Sequence, residues 1–467
     1  MFATDDTIVA IATPPGHGGL GVVRLSGPRA AEIARAILEG APALAPRRAT
    51  LARVMGELGA GAALAGAQWP GAVDEVVATL FQGPSSYTGE DVVEISAHGS
   101  PVVLNAIVLS SVAAGARHAE RGESTLRAFL NGRIDLVQAE AVADLIEAVT
   151  PLQARAAFDQ LRGTLTSAIA AIDHDLFDLA ARLEASIDFP DEGYRFIERE
   201  SCAAEIDRLR GRIQTLLADA RRGRIIREGR QVTIVGKTNT GKSSVFNRLA
   251  GSERAIVTAR AGTTRDLVTE CVRIAGIPVD LVDTAGVRDS LDIVEREGVT
   301  RALRATEVSD LVMLVLDTSR RLDTEDRGLL ERTAGRERVV VLNKVDCPGV
   351  WTEGDLALGQ ETAVRVSART GEGLVELRAA IGARLTGSER AAETSALTNA
   401  RHIGLLETAE RALGRAADTA RRVGRAGSEE FVLADLQDAR AALEEVTGKR
   451  TTEDLLAGIF GRFCIGK

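Results

Sequence analysis

The chain has 467 residues, a formal net charge of −9, 45% apolar residues, 26% charged residues and only 3% aromatics, which suits about three soluble domains with aliphatic, helix-rich cores. The acidic balance argues against a broad basic nucleic-acid face, and the local cluster Arg221-Arg222-Gly223-Arg224 reads first as a solvated helix end. Four scattered cysteines (Cys202, Cys271, Cys347, Cys464) exclude a disulfide framework or a zinc knuckle of the usual spacing, and the absence of a membrane-length apolar run or a basic leader points to the cytoplasm.

Along the first 130 residues, Thr7–Ala12, Gly21–Leu25 and Asp91–Ser96 read as strands, and a helix is expected to start near Pro101. This is an α+β domain. From 131 to 222 the pattern turns helical, with Leu136, Ala139, Val142, Leu145, Ile146 and Val149 on one face and a break at Pro151. Residues 223–387 alternate strands and helices, the signature of a parallel α/β domain. Residues 388–467 return to helix, where Val432, Leu436, Ala439, Leu443 and Val446 keep a 4-3-4-3 spacing. The economical arrangement is multidomain: an α+β N-terminal domain, and a helical domain built from two chain segments with an α/β P-loop domain inserted in it.

The chemistry concentrates in the α/β segment. Gly236-Lys237-Thr238-Asn239-Thr240-Gly241-Lys242-Ser243 follows the apolar run Val232–Val235 and precedes Ser244-Val245-Phe246, which reads as a helix start. Strand, glycine-rich loop and helix is the context in which G-x-x-x-x-G-K-S cradles phosphates on backbone N–H groups. Lys242 then reaches the β/γ-phosphates and Ser243 ligates Mg²⁺. Asp283-Thr284-Ala285-Gly286 ends the strand Ile277–Val282, where the aspartate suits a contact behind Mg²⁺ and the glycine N–H the γ-phosphate. Asn343-Lys344-Val345-Asp346 follows Val339–Leu342, and the Asp346 carboxylate accepts from guanine N1–H and N2–H₂, donors adenine lacks. Ser367-Ala368-Arg369 adds a backbone N–H toward guanine O6. Together they specify GTP over ATP. Thr264, in Gly262-Thr263-Thr264-Arg265-Asp266, is placed as a switch residue over Mg²⁺. The position after D-T-A-G is Val287, not a water-orienting glutamine, so another group must do that work. Asn239, with carbonyls of the Thr258–Thr263 loop, could hold a K⁺ that substitutes for an arginine finger.

Several stretches then carry a family resemblance: Thr13-Pro14-Pro15-Gly16, Gly21–Gly27, Tyr87-Thr88-Gly89-Glu90-Asp91, Arg127–Gly132 and the closing Phe463-Cys464-Ile465-Gly466-Lys467. Over essentially its whole length the chain resembles the MnmE (TrmE) family of tRNA-modification GTPases acting on the wobble uridine. The resemblance implies an N-terminal domain that dimerises and binds a 5-formyl- or methylene-tetrahydrofolate, with Arg24, Glu94, Arg133 and Lys467 at that site. Arg133 stands where the family has lysine, and Lys237-Thr238-Asn239-Thr240 replaces the usual x-Pro-Asn-Ala. It further implies K⁺ activation through Asn239, Thr258, Arg260 and Thr263, with Glu295 orienting the hydrolytic water. By the same resemblance the partner is the flavoprotein MnmG, carrying FAD and using NADH. The pair places an aminomethyl or carboxymethylaminomethyl group on carbon 5 of the uridine in tRNA.

Bland readings stand beside the sharp ones. Cys464 reads as a nucleophile, as a thiol holding an intermediate, or as a small buried apolar residue. His17 and His98 lie in glycine-rich turns and make no metal site. A ribosome-assembly GTPase or a purely regulatory one would share the α/β domain; the first should carry a basic RNA-binding module, and this chain has none in evidence of charge.

Overall fold

A computed structural model describes residues 5–56, 71–188, 199–218, 220–252, 268–283, 309–356, 358, 363–386, 397–422 and 428–466. The chain forms two compact units, Met1–Ala143 with Leu443–Lys467, and Asp144–Ala442.

The first unit opens with β1 (Ile8–Ile11), β2 (Gly18–Ser26), α1 (Ala30–Ile37), β3 (Thr50–Met55), β4 (Ala72–Phe81), β5 (Val92–Gly99), α2 (Pro101–Ala113), β6 (Arg117–His118) and α3 (Glu123–Leu130). The helix expected near Pro101 starts there, with proline in its first turn. The strands form one sheet in the order β3-β4-β5-β2-β1-β6, antiparallel except at β1–β6. Period-two alternation sends Val23, Leu25, Val93 and Ile95 inward against Ile33, Ile37, Leu104 and Ile107. The same alternation puts Arg24 and Glu94 on the other face, directly opposite each other in register. A sequence-defined strand pair thereby presents an ion pair to one side of the sheet.

α4 (Leu136–Glu147) follows, then α5 (Pro151–Leu161), α6 (Thr164–Asp188), α7 (Arg199–Ala218) and α8 (Ala220–Glu228). The break at Pro151 is a helix start: Thr150 and Gln153 make a capping box. Ile146, placed on the apolar stripe by periodicity, is exposed, because the buried part of α4 ends earlier, at Ala141. The α/β segment contains β7 (Arg230–Val235), α9 (Lys242–Ser252), β8 (Val268–Ile274), β9 (Ile277–Asp283), β10 (Leu311–Asp317), α10 (Thr324–Thr333), β11 (Arg338–Asn343), β12 (Ala363–Arg365) and α11 (Leu374–Thr386). Its sheet runs β12-β11-β10-β7-β9-β8, parallel except for β8. β10 and β11 are buried along their whole length, as central parallel strands covered on both faces are. α12 (Ala400–Arg421) packs on α7, burying Leu406, Ala409 and Leu413, and Arg210 Nε donates to Glu410 Oε1 at 2.8 Å. Helices from before and after the α/β segment thus pack together.

α13 (Ser428–Thr447) buries the whole 4-3-4-3 stripe from Val432 to Val446. α14 (Glu453–Phe460) returns to the first unit, where Leu456, Phe460 and Phe463 pack with Leu126, Leu136 and Ala139. Beyond it, Ile465 bridges Arg121, and the Gly122 N–H donates to the Cys464 carbonyl at 3.4 Å. A Cβ on Gly466, whose φ is +94°, would stand 2.2 Å from the Ile11 carbonyl, so only glycine lets the tail lie this close.

Arg127 lies at the heart of this unit with 1% of its side chain exposed. It donates to Asp6 O (2.8 Å), Asp6 Oδ1 (2.5 Å), Glu123 Oε1 (3.0 Å) and Glu90 Oε1 (3.2 Å), while Arg117 donates to Asp6 Oδ2 and Glu123 Oε1, each at 2.6 Å. The hydrogen bond from Arg117 holds the Asp6 carboxyl below its usual range. Burial pushes Glu123 up, but Arg117, the Glu120 N–H and Arg127 outweigh it and hold that carboxyl down as well. Carboxyls depressed in the folded state stabilise fully above their unfolded pKa of about 4, and that stability is lost as pH falls through the folded values. The protection of β5 and α3 amides against hydrogen exchange, taken relative to the intrinsic rate at each pH, should therefore fall on acidification below about pH 4. Arg127→Met should cost this unit about 3 kcal/mol or more and flatten the acid dependence; unchanged exchange in that variant would show that the network is not what holds the unit.

Candidate functional site

The loop from β7 to α9 is shaped by two close approaches. A Cβ on Gly236 would meet the Val315 carbonyl at 2.4 Å, and one on Gly241, at φ +93°, would meet Asn343 Nδ2 at 2.3 Å. Asn239 between them is left-handed at φ +64° with its side chain exposed. Lys242 opens α9, and the free N–H groups and positive end of that helix face the loop. Its ammonium donates to the Lys237 carbonyl at 2.7 Å. Burial lowers its pKa, against an upward pull from Asp283 and Glu325. Asp283, 2% exposed at the end of β9, is thus an electrostatic neighbour of Lys242. Ser243 and Ser244 are exposed in the first turn of α9. The exposed Ser243 hydroxyl and the buried Asp283 carboxylate are oxygen donors of the kind Mg²⁺ takes.

The loop after β11 locks onto this one. Asn343 Nδ2 donates to the Thr240 carbonyl at 2.8 Å, and Lys344, left-handed at φ +67°, donates to Asn239 O at 2.8 Å and to Asp317 Oδ2 at 2.6 Å. Asp346 Oδ1 accepts from Ser367 Oγ at 2.6 Å, and Arg369 Nη2 lies 2.8 Å from its Oδ2. The Ser367 hydrogen bond is the first cause holding Asp346 below the usual carboxylate range, so it is an acceptor at neutral pH. The Ala368 N–H donates to Asn343 Oδ1 at 3.1 Å, and Arg248 holds the Ala368 and Arg369 carbonyls at 2.9 and 2.6 Å. The structure brings together Asn239, Thr240, Gly241, Lys242, Asn343, Lys344, Asp346, Ser367, Ala368 and Arg369. Thr258, Arg260, Thr263, Thr264, Thr284, Ala285, Gly286, Val287 and Glu295 lie outside the described residues.

A second cluster sits in the first unit. Arg24 Nε and Nη2 donate to Glu94 Oε1 at 3.0 and 2.7 Å, and Nη1 donates to the Gly466 carbonyl at 3.4 Å. The guanidinium carbon lies 5.2 Å from the centroid of the Tyr87 ring, whose hydroxyl meets Thr125 Oγ1 at 2.9 Å. The stem of Arg133 lies against Gly89, and Arg133 lines a cavity of about 430 Å³ with Phe129, Gln138, Thr447 and Lys449. Cys464 is exposed, which removes the reading of a buried apolar residue. Lys467 lies outside the described residues. His98 pairs with Asp74 at 2.8 Å, and among the described residues no cluster of His, Cys, Asp or Glu could hold a metal.

Sequence reasoning passed over Asp317, which ends β10 as Asp283 ends β9; a carboxylate closing an apolar strand was the available signal. Arg248 gave no signal short of the tertiary contacts, and Tyr87 and Arg127 stood only within stretches that carry the family resemblance.

A parallel α/β sheet with a phosphate loop interlocked with an N-K-x-D loop defines a P-loop guanine-nucleotide-binding protein. The family described as "MnmE helical domain" matches residues 136–464, and that described as "GTP-binding protein TrmE N-terminus" matches residues 7–133. The chain is 44% identical over 466 residues to the tRNA modification GTPase MnmE of Koribacter versatilis, covering 99% of each chain. It is 42% identical over 478 residues to that of Burkholderia lata (100% of each) and 42% over 471 residues to that of Legionella pneumophila strain Paris (99% of each). The chain belongs to the MnmE family.

Gly241→Ala tests the interlock: the added methyl meets Asn343 in a backbone conformation that disfavours it. Affinity for a fluorescent GDP should fall by about tenfold or more, and wild-type affinity would mean that the two loops do not constrain each other.

Proposed function

We propose that this chain is a GTP hydrolase that works in tRNA modification, with guanine nucleotide held between the β7–α9 loop and the Asp346 loop. The observation that carries this is the hydrogen bonding of Asn343 and Lys344 onto the phosphate loop, in a chain of the MnmE family. Asp346, kept ionised, reads the guanine edge, and Ser367 fixes its orientation. Lys242 turns its ammonium to the β/γ-phosphates, and Ser243 with Asp283 and Thr264 would hold Mg²⁺, which supplies charge neutralisation. Thr284, Ala285 and Gly286 would face the γ-phosphate, and Glu295 would orient the attacking water in place of a side chain at Val287. Asn239 with Thr258, Arg260 and Thr263 would hold K⁺, whose chemistry is added positive charge at the phosphates; the exposed side chain of Asn239 at the rim of the loop supports this.

The reading extends to the first unit. Arg24, Glu94, Arg133 and Lys467 would hold a tetrahydrofolate derivative, which supplies a one-carbon unit, near the exposed Cys464 thiol. The ion pair and ring around Arg24, closed by the docked tail, support a built site there. The domains would run 1–130, 131–222, 223–387 and 388–467, with the GTPase domain inserted in the helical one. The protein would be a cytoplasmic homodimer that joins MnmG, with its FAD and NADH, to modify carbon 5 of the wobble uridine. No helix among the described residues is long and apolar enough to cross a membrane.

GTP turnover in K⁺ should exceed that in Na⁺ at equal ionic strength by about tenfold or more; equal rates would remove the cation from the mechanism. Separately, Cys464→Ser should leave GTP turnover within about twofold while modified uridine disappears from tRNA. Normal modification by that variant would take the thiol out of the carbon chemistry.

A further inference from the structure

The phosphate loop carries two lysines, Lys237 and Lys242, whose ammonium groups find different partners. Lys237 directs its ammonium to the start of α10, where it pairs with Asp323 Oδ2 and lies 3.5 Å from Asp326 Oδ2. Asp323 divides its two oxygens between two tasks. Oδ1 caps the helix, accepting from the N–H groups of Glu325 (3.0 Å) and Asp326 (3.1 Å), and Oδ2 takes Lys237. Asp326 answers by accepting from the Asp323 N–H at 3.2 Å. The acceptor is therefore fixed by a capping box on a helix whose Leu329 is part of the core. A flexible surface carboxylate would be a poor anchor; this one is held in place by its helix.

The backbone of the same residue faces the other way. The Lys237 carbonyl accepts from Lys242 Nζ at 2.7 Å and from Thr240 Oγ1 at 2.9 Å. Lys242 is buried, so its ammonium needs an oxygen partner, and that carbonyl sets where it sits. Lys237 thus links the helix cap to the Lys242 ammonium, by an ion pair at its side chain and a hydrogen bond at its carbonyl. We propose that Lys237 is a positioning residue: anchored by Asp323 and Asp326, it fixes the carbonyl that orients Lys242 toward the phosphates. The pattern G-x-x-x-x-G-K-S makes no demand for a charge at this position. The proposal rests on the guanine-nucleotide reading of the site.

The test uses the full chain, with Lys237→Met, Lys237→Arg, Asp323→Asn and the double variant Lys237→Met/Asp323→Asn. Asparagine keeps a capping oxygen while removing the charge. The pair is partly exposed, so each single change should speed release of a fluorescent GDP and lower GTP turnover by about twofold to fivefold. The double variant should be no worse than either single one, because both remove the same contact. Added salt should speed GDP release from the wild type and leave Lys237→Met unmoved, and Lys237→Arg should restore most of the wild-type rate. Wild-type release and turnover in Lys237→Met, or additive losses in the double variant, would overturn the proposal while GTP binding by the unmodified chain stands. Failure of the unmodified chain to bind GDP would overturn the guanine-nucleotide reading and this proposal together.

Discussion

One side-chain amide ties the nucleotide site together. Asn343 donates to the Thr240 carbonyl and accepts from the Ala368 N–H, so three loops that are far apart in sequence share a buried residue. A buried amide left unsatisfied would be costly, and satisfying it demands that β7, β11 and the segment after β12 end at one edge of the sheet. The parallel order β12-β11-β10-β7-β9 provides that, because every strand in it delivers its carboxyl end to the same side. Lys344 adds a second tie, between Asn239 and Asp317, from a residue held in a left-handed conformation. The site is therefore specified less by any single loop than by the agreement among their ends.

In the first unit the organising device is alternation across a sheet. The inner face of β2 and β5 makes a core of valine, leucine and isoleucine, and the outer face of the same residues' neighbours sets Arg24 on Glu94. Tyr87 lies over that guanidinium, and the loop carrying Tyr87 is tied through Glu90 to the buried Arg127. The charge network and the ion pair are linked by this loop. Packing and electrostatics in this unit are thus two faces of a single period-two pattern.

Much of this was legible beforehand, for identifiable reasons. The β7–loop–α9 passage combines an apolar run with glycines at two positions where a Cβ has no room, and such constraints are local. The stripe on α13 was legible because every member of it is buried. β3 was not, because it is a partly exposed edge strand with Leu51 turned outward, which inverts the expected polarity. Ile146 misled in the opposite sense, being apolar on a helical face that no longer buries anything at that turn. The direction of the Lys237 side chain was beyond reach, since its partner lies 86 residues along the chain. Contacts set by tertiary placement leave no periodic trace.

The cluster of Leu126, Leu136 and Ala139 with Leu456, Phe460 and Phe463 has a consequence for how the chain is made. The first unit contains residues from both sides of the 144–442 unit, so a ribosome must pass about 300 residues between its two parts, on the order of 15 to 60 seconds of synthesis. Throughout that interval Leu126, Leu136 and Ala139 lack the packing of Leu456, Phe460 and Phe463. The second unit, whose segments are contiguous, is free to fold first. Assembly of the first unit waits in this sense on the segment from Leu443 onward, and the interval before it is when chaperones would find their substrate.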